Sequence, residues 1–241
     1  MKYRILHLFP DLMNLYGDYA NLSILTRYMT EEGCDAEIVR AETLPDLSDI
    51  DLMYIGCGTE RSSLRALDLL LPERGKLERY LEAGGEILLT GTAYEIFCRR
   101  IDDDRDGERE GLGLIPADVS RTHGKRFLGD VIYAFGEKKE KVIGFVNKCS
   151  QTVLDGDPLF DAGQEQGNTR AGGSEGYCAG GITATGLAGP LLIKNPYVCR
   201  WYLDRLYRRR GYSPASRADM SVQQAAFDAA YRELLELRRK M

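Results

Sequence analysis

Two His and one Trp in 241 residues leave this chain poor in the side chains that most metal centres and general-base sites use. So few imidazoles leave little room for a His-based metal site, and neither a metal nor a cofactor is expected. The six Cys form no CxxC pair, which points away from a zinc ribbon or redox motif and towards reduced thiols in a cytoplasmic protein. No apolar run approaches the ~18 residues that a bilayer span needs, so membrane insertion is not expected. The opening stretch, Met1 to Phe9, lacks the apolar region and cleavage site of a signal peptide and reads as a strand. Internal repeats and low-complexity tracts are also missing.

What remains is a composition ordinary for a globular chain, 44% apolar and 29% charged, long enough to bury a full core. Charge is unevenly placed: residues 200–241 hold ten Lys/Arg against five Asp/Glu, a net +5, leaving −10 on the first 199 residues. The acids are interleaved and no aromatic platform accompanies the basic residues. That stretch therefore reads as a solvated helix face, and no nucleic-acid partner is expected.

Apolar runs alternate with helical periodicity from the start. Strands are expected at Tyr3–Phe9, Ala36–Val39, Asp51–Ile55 and Glu86–Thr90. Helices are expected at Leu12–Glu32, over Ser62–Ala83 as one or two pieces, and from Ala93 to Arg99. This order implies an α/β fold with a mostly parallel sheet covered on both faces. Ligands then sit beyond the carboxyl ends of the strands, at Phe9–Asp11, Gly56–Glu60 and Thr90–Ala93. Farther on, Arg126–Phe135, Lys141–Asn147 and Ile182–Gly186 read as strands, with a Gly-rich stretch at Gly163–Gly181. Helices follow at Asn195–Arg210 and Asp219–Lys240, the last striped by Phe227, Ala230, Tyr231, Leu234 and Leu237. Ser213-Pro214 separates them, dividing the chain into a domain of 1–211 and a helical extension of 212–241.

Three local patterns touch on chemistry. Asp102 to Gly107 opens like a calcium loop, but its twelfth position is Gly113 instead of Glu, which leaves a solvated acidic loop. Gly56-Cys57-Gly58 follows a strand and is suited to presenting backbone amides to an anion. Thr90-Gly91-Thr92-Ala93 joins a strand to a helix through small residues, the shape of a nucleophile elbow with Gly91 at its centre.

Tyr16-Gly17-Asp18-Tyr19-Ala20-Asn21 resembles the Y-G-D-x-G-N motif of GatD-type subunits of lipid II isoglutaminyl synthase, a cobyric-acid-synthase-like branch of the class I glutamine amidotransferases. Further matches follow in the family's order. They are Gly56-Cys57-Gly58 at the oxyanion loop, Gly111-Leu112-Gly113-Leu114, Lys125-Arg126-Phe127-Leu128-Gly129-Asp130, and Gly144-Phe145-Val146-Asn147. Gly167-Asn168, Glu175-Gly176, Gly189-Pro190-Leu191-Leu192 and Asn195-Pro196 complete the series. The resemblance implies a three-layer, flavodoxin-like amidotransferase domain. It also implies a Mur-ligase-like, MurT-type ATP-dependent partner and a part in amidating a peptidoglycan precursor.

The departures fall on the chemistry. The family elbow V-C-A-G-[YF]-Q is Thr90-Gly91-Thr92-Ala93-Tyr94-Glu95 here, so Gly91 stands at the Cys position and Glu95 at the Gln position. The family's T-Y-L-H-G-P is Thr185-Gly186-Leu187-Ala188-Gly189-Pro190, which puts Ala188 at the His position. Glutaminase activity is therefore not expected, because acyl transfer needs a thiolate and a base within hydrogen-bond reach. Two alternatives stand beside this degenerate subunit. One is a relocated nucleophile, with Cys57 the foremost candidate, Thr92 and Cys98 nearby, and neither His7 nor His123 an evident base. The other is a sensor holding glutamine or a related small amino acid with Arg126, Tyr94, Thr92 and the amides of Gly56, Cys57 and Gly58.

Overall fold

The computed structural model describes residues 1–124 and 126–240, so Lys125 of the motif quoted above lies outside the described residues. Five parallel or near-central strands build the main sheet: β1 (Lys2–Leu8), β2 (Asp35–Ala41), β3 (Leu52–Ile55), β4 (Glu86–Thr90) and β14 (Ile182–Thr185). A sixth, β13 (Tyr177–Ala179), adds an antiparallel edge, giving the order β13-β14-β4-β3-β1-β2. The other neighbouring pairs run parallel.

Period-two alternation sends the strand residues to two faces. Leu6, Leu8, Met53, Ile55, Ile87 and Leu89 join one apolar core with α2 (Glu60–Leu70), α3 (Arg74–Glu82) and α4 (Thr92–Ile96). Tyr3, Ile5, Leu52, Tyr54 and Leu88 join the other with α1 (Ala20–Glu31), α5 (Leu191–Lys194) and α6 (Pro196–Arg209). The result is three layers, as expected. Helix starts follow local chemistry: Thr59 caps α2 by accepting from the Ser62 amide at 3.0 Å, and Pro196 opens α6.

Several expectations need correction. The helix foreseen from Leu12 begins only at Ala20, because Tyr16 and Gly17 both take positive φ. Asn14 Oδ1 then accepts from the Tyr19 amide at 2.9 Å, and Leu15, Tyr16 and Tyr19 are left exposed. The helix foreseen over Ala93–Arg99 is the short α4, after which the chain enters strand pairing. A second sheet, absent from the sequence reading, comprises β5 (Arg100–Asp103), β6 (Gly107–Glu110), β7 (Ala117–Arg121) and β10 (Ser150–Leu154). The acidic segment is thus a β5–β6 hairpin. Asp103 is buried, accepting from the Arg105 and Asp106 amides and facing His123 Nε2 at 3.1 Å.

The foreseen strand pair is β8 (Phe127–Phe135) with β9 (Glu140–Lys148), joined by β11 (Phe160–Gly163) and β12 (Gly173–Glu175) in a third, antiparallel sheet. Among the described residues no helix is long and apolar enough to cross a membrane.

The basic end of the chain is folded onto the acidic body. Arg200 pairs with buried Glu32 at 2.6 Å and Arg205 with Glu86 at 2.8 Å. The last helix, α7 (Ser221–Lys240), docks through Phe227 and Gln223, while Leu237 stays exposed. Gln223 accepts from Tyr28 Oη at 3.0 Å and donates to the carbonyls of Leu192 (2.6 Å) and Ile193 (2.9 Å). Gln223→Ala leaves these buried groups unmatched. It should cost about 1–3 kcal/mol and expose residues 212–220 to protease, read by thermal unfolding and limited proteolysis. An unchanged midpoint and digestion pattern would contradict that role.

Candidate functional site

Gly91 leaves β4 at φ 58° and ψ −130° and starts α4, so the strained turn of a nucleophile elbow is retained at the carboxyl end of the sheet. Its side-chain volume is occupied. A Cβ on Gly91 would lie 2.3 Å from Cys57 Sγ and 2.6 Å from Cys57 Cβ, far inside contact distance. The thiol of the neighbouring strand exit occupies the volume that a side chain at 91 would need.

The amides that would face a substrate also have internal partners. Cys57 N donates to Asp18 Oδ2 at 2.6 Å, and Gly58 N donates to Thr92 Oγ1 at 3.0 Å. Thr92 returns a bond to Gly58 O at 3.0 Å, stitching the two strand exits together. Cys57, Thr92 and Ala188 are 3%, 6% and 5% exposed, so little of this surface meets solvent. Ala188 donates its amide to Phe145 O at 2.8 Å and brings no side-chain base.

Sequence reasoning named Asp18 only as part of a motif, yet it anchors the floor of the site. It is fully buried, accepts from Thr90 Oγ1 at 2.7 Å as well as from Cys57 N, and its Oδ1 has no hydrogen-bond partner among the described residues. Tyr54 Oη ties Thr90 Oγ1 (3.0 Å), the Asp18 carbonyl (3.1 Å) and Asn21 Nδ2 (3.1 Å) into one network. Burial raises the Asp18 pKa to about 6, against the lowering effect of the bonds from Thr90 and Cys57. Burial, aided by the Asp18 charge, pushes the Cys57 thiol up to about 12. Neither imidazole bonds to that thiol among the described residues. His7 is buried in β1 against the Tyr54 ring with its pKa lowered to about 4 by burial, and His123 is held by Asp103. Cys98 is buried inside α4's exit with its thiol pKa raised, again by burial first.

The remaining pocket candidates are also engaged. Tyr94 is 1% exposed and its hydroxyl points at Gly176 O, so it serves the core instead of lining an open site. Arg126 Nη1 pairs with Glu60 Oε1 at 2.7 Å, and its other nitrogens bond to Asn147 Oδ1 (3.0 Å) and Asn147 O (3.2 Å). Glu60 therefore already holds the guanidinium proposed for a ligand carboxylate.

Two buried charge clusters escaped sequence reading. Glu95 accepts from Arg121 Nε at 2.7 Å and Ser150 Oγ at 2.6 Å, while Arg121 Nη2 reaches Ser63 Oγ at 3.0 Å. Lys148 and Glu175 are both buried, and a Cβ on Gly186 would sit 3.2 Å from Lys148 Nζ and 3.3 Å from Glu175 Oε1. Burial lowers the lysine's pKa and raises the glutamate's. Only the Glu175-Gly176 motif hinted at the second cluster. Nothing in the sequence marked Arg121 as a core residue.

These strand exits, with an elbow on β4 facing an oxyanion-type loop after β3, define the class I amidotransferase architecture. A family model for the CobB/CobQ-like glutamine amidotransferase domain matches residues 4–195, and the chain belongs to that family. It is GatD-like. The lipid II isoglutaminyl synthase (glutamine-hydrolyzing) subunit GatD of Staphylococcus aureus is 24% identical over 239 residues, covering 95% of this chain and 96% of that protein. The corresponding subunit of Streptococcus pneumoniae is 25% identical over 196 residues, 79% of this chain and 75% of that one. Among solved structures, a glutamine amidotransferase from Thermotoga maritima superposes with TM-score 0.53 at 13% identity, covering 96% and 91% of the two chains. PurLQS from the same organism gives TM-score 0.53 over 78% and 87%, also at 13% identity. These structural matches speak for the fold alone.

The Asp18 shift predicts a pH signature. A carboxyl whose folded pKa is raised contributes stability at pH below about 4, and that contribution is lost as pH rises through about 6. Asp18→Asn has no proton to lose. Its stability relative to the parent should improve between pH 4 and pH 7.5, by at most roughly 3 kcal/mol. Urea unfolding of both proteins at the two pH values measures this, and a pH-independent difference would rule it out.

Proposed function

We propose that this chain is a GatD-like subunit of a lipid II amidating enzyme that has given up glutamine hydrolysis and serves as scaffold or regulator of a Mur-ligase-like, MurT-type subunit. The observation that carries this reading is Cys57 Sγ standing 2.3 Å from where a Gly91 Cβ would be. The site has been refilled, and its residues now serve to close it.

The glutaminase step needs three things: a nucleophile, a base and free oxyanion donors. Gly91 supplies no nucleophile and Ala188 no base, and the amides of Cys57 and Gly58 are bonded to Asp18 and Thr92. Loss of one member of such a unit costs several orders of magnitude in rate. The surviving side chains bind one another. Thr92 and Asp18 fix the loop, Cys57 fills the elbow, and Glu60 neutralises Arg126.

The relocated-nucleophile alternative has Cys57 near the vacated position. Its thiol is buried and neutral at any physiological pH, with no imidazole bonded to it among the described residues. The sensor alternative relies on Arg126, which already holds a carboxylate. Both are weaker than the closed, degenerate subunit.

The decisive assay is glutamate release from glutamine by the native chain, alone and with a Mur-ligase-like subunit from the same cell. A stable complex with no glutamate above buffer is the expected outcome. Absence of a complex overturns the partner, and turnover lost in Cys57→Ser overturns the degeneracy. Recovering the reaction should require three changes together, Gly91→Cys, Ala188→His and Cys57→Gly. The first two alone should stay silent because Cys57 keeps its place.

A further inference from the structure

At the opposite end of the main sheet from the elbow, a cavity of about 550 Å³ opens at the amino ends of β3 and β4. Its walls are the segment 46–51 before β3, the α3 face bearing Lys76, Arg79 and Tyr80, the Ala83–Gly85 turn, and Arg209 and Arg210 at the end of α6. That volume suits a small-molecule site. Leu47, Ile50 and Tyr80 give it an apolar floor, each less than a tenth exposed.

The charges on its walls are unequally engaged. All three acids have partners. Asp51 accepts from the Arg4 amide and pairs with Arg210, Asp49 pairs with Arg4, and Asp46 accepts from Ser48. Among the cations, Lys76 is 2.7 Å from Glu73. Arg209 reaches only 3.8 Å from Glu86, whose other oxygen is held by Arg205 at 2.8 Å. Arg79 has no ion pair or side-chain hydrogen bond among the described residues. The cavity therefore offers two exposed guanidinium groups with no acceptor at hydrogen-bond distance among the described residues, one from α3 and one from α6, above an apolar floor. Guanidinium forks of this kind recognise phosphate oxygens.

We propose that this cavity is a second binding site, for a small phosphorylated molecule, with Arg79 and Arg209 as its anion-binding pair. The ligand's phosphate lies between the two arginines, and its uncharged portion rests on Leu47, Ile50 and Tyr80. The site shares no residue with the elbow, so it stands apart from the fate of the amidotransferase chemistry. Because it touches both α3 and α6, an occupant would tie together helices from the two faces of the sheet.

Inorganic pyrophosphate is the probe, titrated against the full chain by calorimetry and thermal unfolding, beside Arg79→Gln/Arg209→Gln and a control, Arg238→Gln/Arg239→Gln, on α7. The expected result is saturable binding with a higher unfolding midpoint for the native chain and the control. Affinity should fall at least tenfold in Arg79→Gln/Arg209→Gln. Circular dichroism of each variant without probe separates a folding defect from lost binding. If the double variant misfolds, Arg79→Gln alone decides, since that side chain has no internal partner to lose. No binding by the native chain overturns the proposal, as does equal binding by the Arg79→Gln/Arg209→Gln protein. Equal weakening in the α7 control would reveal general polyanion attraction and overturn it too.

Discussion

One steric constraint organises the functional end of this molecule: positions 57 and 91 share room for a single side chain. The elbow geometry at Gly91 brings the β4 exit so close to the β3 exit that a Cβ at 91 and the thiol at 57 exclude each other. Here the side chain is at 57. The adjacent amides then close onto Asp18 and Thr92, because a buried N–H left without an acceptor is costly. Filling the volume and engaging the donors are consequences of one packing choice.

The same logic separates the motif residues that survive from those that have changed. Asn21 bonds to Tyr54 Oη and accepts from the Leu192 amide, bracing α1 against the sheet and α5. Asn195 satisfies both the N–H and C=O of Ile143, and Asn168 does the same for Gly176. These side chains hold buried backbone groups in place, so losing them would damage the frame. Gly91 and Ala188 bring no side-chain hydrogen bond of this kind to the frame. Glu95 is accommodated in the core because Arg121 and Ser150 meet both its oxygens.

Much of the fold was legible in the sequence. β4 was placed to the residue, and the other four parallel strands of the main sheet were placed to within a few, because a buried parallel strand reads as a compact apolar run between turn residues, whereas the antiparallel edge strand β13 was read only as part of a Gly-rich stretch. The second sheet was not legible. Asp102, Asp104 and Asp106 read as solvated, and the strand pairing of β5 depends on β7 and on a buried acceptor at Asp103, both set by distant parts of the chain. At the site, the tight turn at Gly91 between β4 and α4 was visible as a strand running through small residues into a helix. That Cys57 lies against Gly91, and that Glu60 holds Arg126, depends on distances between segments 34 and 66 residues apart. No local pattern encodes those contacts.

The central claim, mutual exclusion at 57 and 91, is tested most directly by a double-mutant cycle on stability. Gly91→Ala, Cys57→Gly and the double variant would be unfolded in denaturant beside the parent. The strain of a side chain at positive φ appears in both Gly91→Ala backgrounds and cancels in the cycle. The account predicts a coupling of about 2 kcal/mol or more, with Gly91→Ala far better tolerated once Cys57 is Gly. Additive effects, with Gly91→Ala equally costly in both backgrounds, would contradict it.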